Sequence, residues 1–108
     1  MNERIFTSKI EKCHREWLAP IIGVPSETYF GIDFLDEQYG IEMKCRYNRW
    51  GPYFTIAADQ VKDFPKRYEG REFFWTFLLY GLKEFPKEIK EEEELEPYVT
   101  KRDLWFLP

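Results

Sequence analysis

Apolar residues change their spacing several times along the chain, and each change marks an element. Over residues 2–18 they fall at Ile5, Phe6, Ile10, Cys13, Trp17 and Leu18, the three- and four-residue spacing of an amphipathic helix, and Pro20 predicts its end. Gly23 and Pro25 then break the chain. Two strand-like runs follow, TYFGIDFL at 28–35 and GIEMKCRY at 40–47, the second alternating Ile41, Met43 and Cys45 with Glu42, Lys44 and Arg46. NRWGP at 48–52 predicts a turn. YFTIA then starts a third strand and passes into a helix from Ala58, with Val61 and Phe64 one helical step apart and Pro65 disturbing its end. EFFWTFLLYGL at 72–82 is an almost unbroken apolar run, which predicts a strand in the interior of a sheet. YVTKRDLWF at 98–106 predicts a strand at the sheet edge. The expected class is α/β, with a mixed sheet of about four strands flanked by helices in the order αβββαβ. Residues 1–83 form the core, 84–97 an acidic linker or frayed helix, and 98–108 an edge strand or tail.

Composition narrows the setting. A chain of 108 residues, 44% hydrophobic and 19% aromatic, suits one domain with a single core. No run approaches the ~18 apolar residues of a membrane span, and the charged N-terminal stretch lacks the apolar segment of a signal peptide, so a soluble, cytoplasmic protein is expected. Two cysteines, Cys13 and Cys45, and the one histidine, His14, make no zinc-site spacing. Charged residues make up 33% of the chain while Asn and Gln number two each, a balance of the kind found in thermophiles. The net charge of −4 is local: residues 84–96 hold seven Glu against two Lys, whereas residues 43–67 hold six bases against two acids. Phosphate binding by that middle segment is therefore compatible with the overall acidity.

The hairpin is where the pattern carries chemistry. If its turn is centred between Glu37 and Gln38, Asp33 stands across from Glu42, and Lys44 lies one step along the same face. Two facing carboxylates repel unless positive charge lies between them, and oxygen donors of this type suit Mg²⁺ or Mn²⁺. If the turn is instead centred between Tyr39 and Gly40, Asp33 faces Arg46 and the two make an ordinary cross-strand ion pair.

Asp33 followed nine residues later by Glu42-Met43-Lys44, within this element order, resembles the PD-(D/E)XK nuclease superfamily of restriction endonucleases, Holliday junction resolvases and RecB-like exonucleases. Ile32 stands where the motif's name has Pro. Gln60 with Phe64 four residues later is similar to the Gln-x-x-x-Tyr helix motif of RecB-like members, with Phe in place of Tyr. The likeness covers residues 1 to about 80. It implies a restriction endonuclease-like core in which Asp33, Glu42 and the Met43 carbonyl hold Mg²⁺ or Mn²⁺, Lys44 orients water or neutralises phosphate, and Gln60 contacts the substrate or a metal-bound water. It also implies a metal-binding Glu on the first helix, for which Glu11 ranks ahead of Glu3 and Glu16.

The implied activity is metal-dependent hydrolysis of phosphodiester bonds in DNA, structure-selective because so small a chain leaves little room for a recognition domain. Arg46, Arg49, Lys62, Lys66 and Arg67 are the expected phosphate contacts. Trp50 and Tyr53 offer rings to an unpaired base, although loop aromatics ordinarily pack on their own domain. A homodimer is expected from the surplus of aromatic residues. The competing reading is a non-catalytic oligomerising or scaffold domain that keeps the same fold. His14 reads as a surface residue and Cys45 as a buried strand residue.

Overall fold

The structure, a computed structural model, describes residues 3–26, 31–84 and 93–108. Helix α1 (Glu3–Ile22) is followed by β1 (Phe34–Leu35), β2 (Tyr39–Tyr47), α2 (Ala58–Arg67), β3 (Glu72–Leu82) and β4 (Val99–Leu107), with short 3₁₀ turns at Asn48–Trp50 and Glu96–Tyr98. The four strands form one mixed sheet in the order β1-β2-β3-β4. β1 and β4 run antiparallel to their neighbours, while β2 and β3 are parallel. The apolar run at 72–82 is thus an interior strand, and β4 is the edge beside it.

Parallel pairing of β2 with β3 requires a crossover, and this explains the absence of the expected third strand. Residues 53–57 form no strand, because the chain must return across the sheet face to start β3 parallel to β2. The apolar side chains that suggested a strand, Phe54 and Ile56, pack down on that face instead, Phe54 edge-on to Phe77 at 5.1 Å. The observed order is αββαββ. The strand expected at 28–35 is reduced to Phe34–Leu35, residues 27–30 lying outside the described ones. Much of the acidic run, residues 85–92, also lies outside them, but its end is anchored by Leu95, which is buried in the core.

Side chains alternate along β3, so the sheet has two covered faces. On one, Phe6, Ile10 and Leu18 of α1 pack with Ile41, Met43, Leu78 and Tyr80. On the other, Phe64 and Tyr68, at the end of α2, pack with Ile32, Trp75 and Phe77. Val61, expected beside Phe64, is instead 51% exposed.

Two expectations about α1 are corrected. The helix runs through Pro20 to Ile22, because both Pro20 and Glu16, whose carbonyl loses its donor there, are exposed to water, and Gly23 N–H closes the last turn on the Ala19 carbonyl at 2.9 Å. His14 is fully buried, since it continues the Phe6, Ile10, Leu18 stripe at four-residue steps. Its ring lies 4.5 Å from that of Tyr80, and its Nδ1 accepts a hydrogen bond from Arg102 Nε at 3.1 Å. Arg102 also pairs with Glu96, donates to Cys13 Sγ at 3.7 Å and lies over the Trp17 ring at 4.4 Å. One guanidinium therefore clasps β4 and the turn before it to α1.

Candidate active site

The hairpin register places the site. Phe34 pairs with Ile41 and Leu35 with Gly40, so the turn spans Glu37 and Gln38. Asp36 fixes that turn: its Oδ1 accepts from the N–H of Gln38 at 2.8 Å and of Tyr39 at 2.6 Å. Gly40 is a strand residue because Ile32 packs against it, and a Cβ there would meet Ile32 Cδ1 at 3.2 Å. Arg46 is accordingly remote from Asp33.

β1 stops after two residues, so among the described residues β2 has no strand partner on that side from Glu42 onward. Asp33 fills the first part of that edge. Its N–H donates to Glu42 Oε1 at 3.2 Å, and its Oδ2 accepts from the Met43 N–H at 2.8 Å. Because a strand residue sends its N–H and C=O to the same side, the Met43 carbonyl faces this edge too. Lys44 lies 3.5 Å from Glu42 Oε2 and donates to Gln60 Oε1 of α2 at 2.7 Å. From α1, Arg15 approaches Asp33 Oδ1 at 3.7 Å. Glu11, Arg15, Asp33, Glu42, Met43, Lys44 and Cys45 line a single cavity of about 240 Å³.

Charge within this cavity is unevenly compensated. Burial first, and then Asp33, push the Glu42 carboxyl up to about 8, with Lys44 only partly offsetting them. Glu11 is raised as well, again by burial first and then by Asp33. Burial pushes the Cys45 thiol up to about 12, which removes it as a nucleophile. The donor set of three carboxylates and a strand carbonyl is all oxygen and fits a hard divalent cation. Glu42 supports that fit, since its carboxyl is raised by burial and by Asp33, and added positive charge beside it would favour the ionised form. Among the described residues, however, no three Asp, Glu, His or Cys side chains converge on a single ion position. The oxygens of Asp33 and Glu42 are held by Arg15, Lys44 and backbone N–H groups.

The structure thus brings together Asp33, Glu42, Met43, Lys44, Gln60 and Glu11, and adds Arg15. Glu16 is exposed and lies 3.9 Å from Lys12, and the side chain of Glu3 lies outside those described. The expected phosphate contacts do not converge on the cavity. Arg46 donates from Nε to the Gly51 carbonyl at 2.9 Å and from Nη2 to the Trp50 carbonyl, which ties it to the turn after β2. Arg49, Lys62, Lys66 and Arg67 are exposed and none lines the cavity. Trp50 sits edge-on to Tyr47 at 5.4 Å, and Tyr53 is exposed. Arg15 had a sequence signal, its four-residue spacing from Glu11 beside the buried stripe of α1. Among known proteins, no family model, no curated sequence and no solved structure matches this chain.

Proposed function

We propose that the chain is a metal-dependent nuclease with a restriction endonuclease-like core, hydrolysing phosphodiester bonds in DNA. The supporting observation is that Asp33 and Glu42 meet at this edge of β2 with the Met43 backbone, Lys44 and Glu11 in one cavity. Asp33, Glu42, Glu11 and the Met43 carbonyl would hold Mg²⁺ or Mn²⁺. When bound, the cation supplies Lewis-acid charge at the phosphate and a more acidic water. Lys44, held by Gln60 and Glu42, presents its ammonium where negative charge develops on the phosphate. Gln60 positions that ammonium. The small cavity at a sheet edge suits an exposed phosphate at a branch, flap or end, and a homodimer would supply the span such substrates need.

The alternative, a non-catalytic scaffold domain, draws on the Arg15–Asp33 pair, which reads equally as a structural tie. One assay separates the two readings: branched, flapped and single-stranded DNA incubated with the protein and Mn²⁺. The wild type is expected to cut at least one of them, and Lys44→Ala to lower the rate by ~10²–10³ while folding normally. A wild type that cuts none of the three supports the scaffold.

A further inference from the structure

The cavity holds more protein cations than the motif accounts for. Lys44 belongs to the Glu-x-Lys triplet and reaches Glu42 and Gln60. Arg15 comes from a different element, enters the same cavity, and lies 3.7 Å from the Asp33 oxygen that the Met43 N–H does not take. Both side chains of the pair are largely shielded, at 18% and 21% exposure. The guanidinium thus lies beside the carboxylate that a divalent cation would need, and among the described residues no three acidic, His or Cys side chains converge on one ion position.

We propose that Arg15 is an exchangeable counter-ion. It holds Asp33 when no divalent cation is present, gives that carboxylate up when one enters, and then serves as a ligand for substrate phosphate within the cavity. The inference rests on the nuclease reading and deepens it. The chemistry is specific to arginine: its planar fork pairs with a carboxylate or a phosphate with equal ease, so one side chain can exchange the first for the second. An Arg that were merely a structural tie would instead lower both affinities on removal, because Asp33 would lose its orientation. Exchange predicts opposite signs.

The test uses calorimetric titration of the full chain with Mn²⁺, together with binding of a short branched DNA in Ca²⁺, for wild type, Arg15→Met and Arg15→Lys. Circular dichroism checks that each variant is folded. Removing a unit positive charge from beside the incoming dication should tighten Mn²⁺ binding of Arg15→Met by about tenfold. The same variant should bind the DNA about tenfold more weakly. Arg15→Lys, which keeps the charge and loses the fork, should stay near wild type for Mn²⁺ and fall between the two for DNA. Unchanged or weaker Mn²⁺ binding in a folded Arg15→Met overturns the exchange and leaves the nuclease reading standing. Mn²⁺ binding seen only in Arg15→Met also overturns the exchange, since Arg15 is then a block that the cation does not displace. If no protein binds Mn²⁺ at millimolar concentration, both the exchange and the metal reading fall.

Discussion

Glu42 and His14 are both buried, and they give the fold opposite responses to pH. With its carboxyl at about 8 against an ordinary 4.5, Glu42 keeps a proton that the unfolded chain would release, so in chelator the protein loses stability as pH rises between those values. Burial and then Arg102 hold His14 down to about 3 from 6.5, so stability falls as pH drops through that range. The two slopes partly cancel between about 4.5 and 6.5, and maximum stability belongs there. Glu42→Gln should abolish the alkaline loss and leave the acid loss intact, as measured by urea midpoints from near pH 5 to near pH 8. Added Mn²⁺ should stabilise the wild type most on the alkaline side, where Glu42 gives up its proton most readily. The acids of the site were legible in the sequence because a carboxylate inside an alternating strand is costly unless it serves something. His14 was misread because a polar residue on an apolar stripe looks like an interruption, and only the Arg102 donor and the Tyr80 ring make its burial tolerable.

Among the elements, the hairpin was more legible than the crossover. Its two registers were distinguishable only by what Gly40 does, and a glycine that could make a turn proved to be needed for packing under Ile32. The third strand failed because Phe54 and Ile56 alternate correctly for a strand but lie in the crossover that covers the sheet face; period reports burial, whereas pairing depends on topology. β3 holds a second close approach. A Cβ on Gly81 would stand 2.9 Å from Thr100 Oγ1 and 3.1 Å from Asn48 Nδ2, beside the register shift at Gly81/Leu82. Gly81→Ala should therefore destabilise the protein by about 1–3 kcal/mol, read from the urea midpoint at unchanged slope. If the variant is as stable as wild type, the irregularity is loose enough to absorb the methyl.

For the molecule as a whole, the exposed side of β4 is the surface to watch. Trp105, Phe106 and Leu107 are 49%, 44% and 52% exposed at a sheet edge, where unpaired strand groups invite another chain. A second copy paired antiparallel through β4 can set Lys101 opposite Asp103 of its mate on one face, while Arg102, already paired with Glu96, meets its twin on the other. Light scattering should then show a dimer that Trp105→Glu dissociates; a wild type that stays monomeric at high concentration removes this surface from consideration. No helix among the described residues is long and apolar enough to cross a membrane. The clasp made by Arg102 also bears on the order in which the fold assembles. It joins residues 88 positions apart, and α1, which it steadies, carries Glu11 and Arg15. α1 can form locally, but the clasp that steadies it on the sheet needs β4 already paired with β3. Final docking of α1 should therefore be slow, as the formation of long-range contacts is.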